Sequence, residues 1–261
     1  MSTVDFAAVG DVMLDVLAPP LRQRPVHAAI EVRAGGSAVN AARAAAAAGR
    51  PAVVIGCVGD DPVGELLRRD LADAGIDALL GTVSGARTGR AVYAGGSVAA
   101  ERGANARFAP EHVPRDLSAA AVLVSGYQLL RDDSGPGAAA AFALGGVVGV
   151  DLGAGGLVRA FGSARLRALL ERVDVIFGDD DAIKALGEPA GPLVVTTLGP
   201  DGARAAGVHV QPETVLDAAP VGAGDAFAAA FLLARAEGDP VETALQRGCA
   251  AGTAVAVESH G

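Results

Sequence analysis

Short, β-rich apolar runs alternate with helix-compatible stretches along most of this chain, and this alternation constrains the fold more than any other feature. It predicts a mostly parallel sheet with helices on both faces, an α/β fold. At 261 residues the chain is long enough for one large domain of this kind. The predicted strands are residues 4–9, 52–58, 121–124, 147–150, 173–177 and 193–198.

Two of the predicted helices have recognisable ends. Ser37 is a candidate N-cap for a helix that runs through an Ala-rich stretch to Gly49. Asp61 followed by Pro62 is typical of an N-cap and a first helical residue, and this second helix is predicted to end near Gly75. Both helices fall where the alternation requires one.

Two segments interrupt the alternation. Residues 18–32 are rich in Pro and Arg, and residues 88–107 place β-capable side chains among glycines. They are interpreted as loops or as a small accessory β layer. The chain shows no fixed-period repeat, so we expect a single domain over residues 1–261.

Composition and charge exclude several classes of partner. The chain has 21 Lys and Arg against 30 Asp and Glu, a net charge of -9, which disfavours nonspecific binding to nucleic acid or to an anionic membrane. The longest apolar run, residues 138–150, is too short to span a bilayer. The first residues show no export signal, so a cytoplasmic location is expected.

The cysteines and histidines do not predict a structural site. Cys57 and Cys249 form no CxxC pair, and two distant cysteines in a cytosolic chain are poor evidence for a disulfide. The four histidines are scattered, which argues against a zinc centre. They are His27, His112, His209 and His260.

The strongest local signal is the segment around Gly222, Ala223, Gly224 and Asp225. The apolar spacing that follows it predicts a helix beginning here. Small residues at a helix N-terminus let a phosphate approach the backbone N–H groups. A carboxylate at the same place hinders simple anion binding but suits the removal of a proton from an attacking hydroxyl. The alternative is that Asp225 only caps the helix.

A second signal, Gly35-Gly36-Ser37-Ala38-Val39-Asn40, lies at a predicted helix start. Backbone amides and the Asn40 side chain there could bind sugar hydroxyls. The alternative is a well-capped helix preceded by a tight turn.

In this order, these segments resemble the signatures of the PfkB/ribokinase family of carbohydrate kinases, and the resemblance covers nearly the whole chain. The first signature is similar to residues 35–75 and the second to residues 220–231. Further matching pieces are GDVMLD at 10–15, RGAN at 102–105 and TLGPDG at 197–202. Several matches in order are more specific than any single motif. The implied fold is ribokinase-like, with a small β lid formed by segments 18–32 and 88–107.

The resemblance implies a role for each matched position in the second signature. Asp225 matches the catalytic base, and the amides of Gly222, Ala223 and Gly224 match an anion hole for the transferring phosphoryl group. Such transfer depends mainly on positioning and charge stabilisation.

The remaining matches imply the substrate and nucleotide sites. Asp15, Gly36 and Asn40 match the residues that hold substrate hydroxyls, and Asn105 matches a residue that approaches the substrate. A surface Asp in a turn is the alternative for Asp15. The nucleotide matches are Thr197, Gly199, Gly202 and Cys249. The implied ligands are ATP, Mg²⁺ and a small sugar or nucleoside, with a homodimer through the lid as a further option.

Three departures from the family pattern concern the metal ions and the lid. Gly178 stands where the family has the Asn of an Asn-x-x-Glu motif, and Asp181 replaces its Glu as the candidate magnesium residue. Ala219 stands where the family often has an Asp that helps bind a monovalent cation, so potassium dependence is doubtful. The lid segment around residues 94–98 is shorter than usual, so substrate closure is expected to differ.

The main hypothesis is therefore transfer of the γ-phosphoryl group of ATP to a hydroxymethyl group of a sugar or nucleoside. A non-catalytic nucleotide or sugar sensor on the same fold is the second hypothesis, since Gly178 and Ala219 alter the metal and cation regions. A dinucleotide-binding oxidoreductase is a weaker third, because no GxGxxG follows the first predicted strand.

Overall fold

The parallel sheet predicted from the alternation forms the centre of the molecule. A computed structural model describes residues 2–20, 27–187, 189–214 and 221–258, and within them nine strands form this sheet in the order β13-β12-β11-β10-β9-β8-β1-β4-β5. Pairing is parallel from β11 to β5, and only β12 and β13 run antiparallel. The large-sheet strands are β1 Ser2–Val9, β4 Ala52–Gly59, β5 Asp77–Val83, β8 Leu117–Ser125, β9 Val147–Asp151, β10 Val175–Asp179, β11 Leu193–Thr197, β12 Ala203–Ala205 and β13 Val208–Val210.

Helices cover both faces of this sheet, as predicted. Alternate residues of β1 enter opposite cores: Phe6 and Ala8 pack toward α1, α2, α8 and α9, whereas Ala7 and Val9 pack toward α3 to α7. Burial on both faces explains why the strands are continuous apolar runs rather than alternating ones. The helices are α1 Ser37–Ala47, α2 Pro62–Asp73, α3 Gly126–Leu129, α4 Gly135–Ala140, α5 Gly155–Phe161, α6 Ser163–Leu170, α7 Asp180–Leu186, α8 Ala223–Ala236 and α9 Val241–Glu258.

The two segments that interrupt the alternation contribute to a separate β layer. Its four strands are ordered β3-β2-β6-β7, and we call this layer the lid sheet. Loops alone would not account for it, so the β-layer interpretation of residues 18–32 and 88–107 is supported, although residues 21–26 lie outside the described part. The strands are β2 Met13–Ala18, β3 Glu31–Gly35, β6 Gly89–Ala94 and β7 Ser97–Glu101.

Of the two predicted helix N-caps, Ser37 was wrong and Asp61 is confirmed. The N-cap of α1 is Gly36, with φ of 94°, and Ser37 is the first helical residue. Its hydroxyl donates instead to Oγ of Ser125 at 2.7 Å and so ties α1 to the end of β8. Asp61 is the N-cap of α2 as predicted, and its carboxylate accepts from the amide of Gly64 at 3.0 Å.

No helix within the described residues is both long and apolar enough to cross a membrane.

Candidate active site

The carboxyl ends of four parallel strands meet at one edge of the large sheet. Ser125 of β8 is opposite Asp151 of β9, and Asp179 of β10 is opposite Thr197 of β11. In open α/β sheets this edge is where ligands bind. The lid sheet follows directly from β1 through Gly10, so the same edge receives side chains from the lid.

Asp225 and Asn40 come together beside this edge from distant parts of the chain. Asp225 lies in the first turn of α8, and Asn40 lies in the first turn of α1. The Asn40 side-chain amide donates to Oδ2 of Asp225 at 2.9 Å. The two sequence signatures therefore form one cluster.

The start of α8 is shaped for close approach to its backbone. Gly222 is left-handed, with φ of 96°, and a Cβ added there would lie 3.2 Å from Cγ of Asn40. A Cβ at Gly224 would meet nothing within 4 Å, so open space adjoins the first turn. The first amides of a helix lack intrahelical acceptors and carry positive potential. The amides of Gly222, Ala223 and Gly224 have no acceptor among the described residues and thus offer donors next to Asp225.

The environment of Asp225 raises its pKa to about 7. Burial is the main cause, and the negative charges of Asp151 and Asp15 add to it, while the hydrogen bond from Asn40 opposes the rise. A carboxyl group with a pKa near 7 can both hold and release a proton at neutral pH. Capping alone does not explain such a group, because the N-cap of α8 is Gly222 and the side-chain partner of Asp225 among the described residues is Asn40.

Asp15 lies on β2 of the lid sheet with no exposed surface. Neither of its carboxylate oxygens has a hydrogen-bond partner among the described residues. Burial raises its pKa to about 6, against the opposing effects of the Gly36 amide and the positive charge of Arg33. A buried carboxylate without a partner is costly, which is the signature of a group kept for a ligand rather than for stability.

Asn105 is not free in the same way. Its side chain is fully buried, accepts from the amide of Val12 at 3.0 Å, and donates to the carbonyls of Val12 and Arg102 at 2.9 and 3.1 Å. These bonds use the donors and acceptor of the amide group. The side chain braces the turn between β1 and β2 and has no donor left for a substrate.

Two of the predicted nucleotide residues, Gly202 and Cys249, meet at Val210 of β13, while Thr197 ends β11 just before the turn that follows. Gly199 and Gly202 take φ of 59° and 87° in a turn closed by the Leu198 amide and the Gly202 carbonyl at 2.8 Å. A Cβ on Gly202 would overlap the Val210 carbonyl. The buried thiol of Cys249 points at that carbonyl from α9, with 3.8 Å between Sγ and O.

Asp181 has a partner that the sequence did not predict. Its two oxygens accept from the two Nη atoms of Arg159, each at 2.9 Å, on the exposed surface of α7 and α5. That fork pairing occupies the carboxylate. Asp179 caps α7 by accepting from the Ala182 amide at 2.7 Å.

The sequence interpretation missed Asp151 and Tyr127. Asp151 ends β9, and one oxygen accepts from the Gly153 amide at 3.1 Å. Burial raises its pKa, and the negative charge of Asp179 adds to the rise. Tyr127 lies over Gly153 and near the same carboxylates. The signal for Asp151 was its place just after a predicted strand of a parallel sheet.

Comparisons with known proteins agree with this architecture. A computed match to solved structures shows the ribokinase-like α/β fold: adenosine kinase from Sinorhizobium meliloti has a TM-score of 0.83 at 21% identity and covers 100% of both chains. A ribokinase II structure from Escherichia coli, in complex with ATP and Mg²⁺, has a TM-score of 0.80 at 21% identity, covering 95% of this chain and 91% of that one.

The sequence comparison defines the family. The model for pfkB family carbohydrate kinases matches residues 5–261. An ATP-dependent ribose-1-phosphate kinase from Halopiger xanaduensis is 33% identical over 246 residues, covering 85% of this chain and 80% of the relative. This chain belongs to the pfkB family of carbohydrate kinases, which confirms the resemblance and leaves no support for the oxidoreductase hypothesis.

Proposed function

We propose that this protein transfers the γ-phosphoryl group of ATP to a hydroxymethyl group of a sugar or nucleoside, with Asp225 as general base. The observation that carries the proposal is the juxtaposition of Asp225, with a pKa of about 7, and the free amides at the start of α8. Asp225 takes the proton of the acceptor hydroxyl. The amides of Gly222, Ala223 and Gly224 stabilise the negative charge of the phosphoryl group in transfer.

The remaining residues position the two substrates. Asp15, whose oxygens have no hydrogen-bond partner among the described residues, accepts hydrogen bonds from hydroxyl groups of the acceptor. The Gly36 amide and Asn40 lie on the same side of the site. Asn105 supports this arrangement from behind, by fixing the turn that leads into β2. Thr197, Gly199, Gly202 and Cys249 line the nucleotide side near β13.

The strand-end carboxylates fit the Mg²⁺ ion that accompanies ATP better than Asp181 does. Asp151 has an oxygen without a hydrogen-bond partner among the described residues, and Asp179 is exposed beside it, whereas Arg159 occupies both oxygens of Asp181. Magnesium commonly uses one or two carboxylates with waters and phosphates. When bound there, Mg²⁺ would neutralise phosphate charge. This proposal moves the metal role from Asp181 to Asp151 and Asp179.

A non-catalytic sensor is the second candidate, because the Arg159 and Asp181 pair ties up the carboxylate of the altered motif. One experiment separates the two. Purified protein is given ATP, Mg²⁺ and a panel of sugars, sugar phosphates, sugar acids and nucleosides, with and without potassium, and ADP is measured. Acceptor-dependent ADP release supports the kinase. Calorimetric binding of ATP and an acceptor, without product, supports the sensor.

Two expectations, one about cellular location and one about oligomeric state, stay predictions. A cytoplasmic location is one. A homodimer through the lid is the other: β3 and β7 are the edges of the lid sheet, and all of β7 is exposed. Sedimentation of the wild type against a variant with a charged residue at Val98 would test the dimer. Ala219 lies outside the described residues, so the potassium arm of the panel decides the monovalent-cation question.

A further inference from the structure

Arg33 lies next to Asp15 on the face of the lid sheet that looks into the candidate site. The two residues are direct cross-strand partners in antiparallel β2 and β3, so their side chains share a face. Tyr93, on the parallel neighbour β6, is on that face as well. Among the described residues of the four lid strands, Arg33 is the one cation on it.

The guanidinium of Arg33 is poorly satisfied. Its Nε is buried and has no hydrogen-bond partner in the part of the chain that the structure describes. One Nη contacts Glu31 at 3.3 Å, and the Glu31 side chain is 59% exposed. An exposed pair of this kind is worth little, whereas a buried N–H without an acceptor costs free energy. Stability therefore does not explain the placement of this arginine.

Neutralising Asp15 does not explain it either. Neither Asp15 oxygen lies within hydrogen-bond or ion-pair distance of Arg33. The positive charge only moderates the Asp15 pKa, which burial still raises to about 6. Both groups face the site with hydrogen-bonding capacity that no described residue uses. The Asp15 carboxylate can accept hydrogen bonds, and the Arg33 guanidinium can donate them.

Arg33 on β3 and Tyr93 on β6 flank Asp15 from opposite sides of β2, and the charge of Asp225 acts to raise the pKa of Tyr93. The charges that act on Asp225 are those of Asp151 and Asp15, while Arg33 acts on Asp15 and Tyr93. An acceptor whose reacting hydroxyl is at Asp225 and whose other hydroxyls reach Asp15 would bring its far end to Arg33. Apart from Arg33, the titratable side chains among the described residues on this face of the lid strands are the carboxylates of Asp15 and Glu31 and the phenol of Tyr93.

We infer that the acceptor carries an anionic group, a phosphate or a carboxylate, at the end remote from the phosphorylated hydroxyl, and that Arg33 selects for it. The inference rests on the proposed kinase function and narrows its substrate to sugar phosphates or sugar acids in preference to neutral sugars and nucleosides. A guanidinium matches either anion with two parallel hydrogen bonds.

The test compares acceptors that differ in the anion. Ribose 1-phosphate and 2-dehydro-3-deoxygluconate are the anionic probes, and ribose and adenosine are the neutral ones. Wild type should use one of the anionic probes with a higher kcat/KM than either neutral probe. The preferred anionic probe identifies the anion as phosphate or carboxylate. Arg33→Gln should lower that kcat/KM about 10- to 100-fold, since charge-assisted hydrogen bonds contribute about 1.5 to 3 kcal/mol. Its kcat/KM for neutral probes should change by less than about threefold.

The matched control is Arg90→Gln. Arg90 is on β6 of the same lid sheet but on the opposite face, next to Asp61 at 3.4 Å. This variant removes the same charge, and the ratio of anionic to neutral kcat/KM should remain that of wild type. Arg33→Lys should keep part of the preference, and a thermal melt of each variant checks folding.

Calorimetry without ATP keeps this inference separate from the kinase proposal. Wild type should bind ribose 1-phosphate or 2-dehydro-3-deoxygluconate more tightly than ribose, and Arg33→Gln should lose that difference. The role of Arg33 would be overturned if wild type used neutral and anionic probes with equal kcat/KM, or if Arg33→Gln lowered kcat/KM equally for both. Either result would leave the kinase proposal standing. Absence of turnover on every probe, with anion binding that still depends on Arg33, would instead count against the kinase proposal.

Discussion

The side-chain amide of Asn40 donates a 2.9 Å hydrogen bond to Oδ2 of Asp225, although the two residues are 185 positions apart. The bond joins the first turns of α1 and α8, which pack side by side. It stabilises the ionised form of the carboxylate and so opposes the burial that raises its pKa. Asn40 therefore helps to set the pH at which Asp225, the proposed base, is ionised.

Asn40→Ala should move the pH dependence of turnover upward. Loss of a charge-assisted hydrogen bond of about 1.5 to 3 kcal/mol corresponds to about one to two pH units in the pKa of the base. The lower limb of the kcat profile should shift by that amount. Ser37→Ala is the control on the same helix, because its hydroxyl bonds Ser125 rather than the base. An unshifted limb in Asn40→Ala would show that the bond does not tune Asp225.

The wild-type profile follows from the same carboxyl group. Asp225 must be ionised to accept a proton, and its pKa is about 7. Turnover should therefore fall as the pH drops below 7 and level off above it. The rate at saturating ATP and acceptor, measured from pH 5.5 to 9, checks this. A rate that is constant between pH 6 and 8 would contradict the assignment.

Asp225→Asn should abolish most turnover, by about 10²- to 10⁴-fold, while ATP still binds. It should also stabilise the fold at high pH. The pKa of Asp225 is about 7 in the folded state against 3.8 normally, so the ionised group costs stability as the pH rises through that window. The gain in unfolding free energy should be up to about 4 kcal/mol at pH 8 and small at pH 4. Urea unfolding at both pH values measures the difference.

Retained wild-type turnover in Asp225→Asn would show that another group acts as base. Asp179→Asn serves as the comparison for stability, since that carboxylate is exposed and caps α7. Asp179→Asn should slightly lower the unfolding free energy at pH 8, whereas Asp225→Asn should raise it.

The sequence predicted the strands and the fold well, because parallel strands buried on both faces must be continuous apolar runs. The start of α8 was predictable for a different reason, because small residues followed by helical apolar spacing leave a recognisable pattern. The cap of α1 was wrong because a glycine with positive φ took the position, freeing Ser37 for a tertiary bond.

Contacts between side chains on distant elements could not be predicted from the sequence. The pairing of Asp181 with Arg159 depends on how α5 packs on α7. The bracing of Val12 by Asn105 depends on contacts between residues 93 positions apart. Neither leaves a local pattern, so the sequence did not show that the side chains of Asp181 and Asn105 already have partners in the fold.

The metal role of the strand-end carboxylates can be tested on matched variants. Asp151→Asn should raise the Mg²⁺ concentration needed for half-maximal turnover by about tenfold or more and weaken calorimetric binding of Mg-ATP, because it removes a carboxylate at the phosphate edge. Asp181→Asn should change neither by more than about twofold, since Arg159 already occupies it. The reverse ranking would restore Asp181 as the metal residue.

Gly35→Ala tests whether Asp15 holds the acceptor. A Cβ at residue 35 would overlap Oδ2 of Asp15, so the carboxylate must leave its position. We expect acceptor affinity to fall about tenfold or more, with ATP affinity unchanged, because only the lid side of the site is disturbed. Gly156→Ala is the control: its Cβ meets nothing within 4 Å in α5, and both affinities should stay at wild-type values. Calorimetry with ATP and with the preferred acceptor, each titrated alone, separates the two sites. Equal weakening of both ligands in Gly35→Ala would mean that the lid sheet itself had been displaced, and unchanged acceptor binding would show that Asp15 does not contact the acceptor.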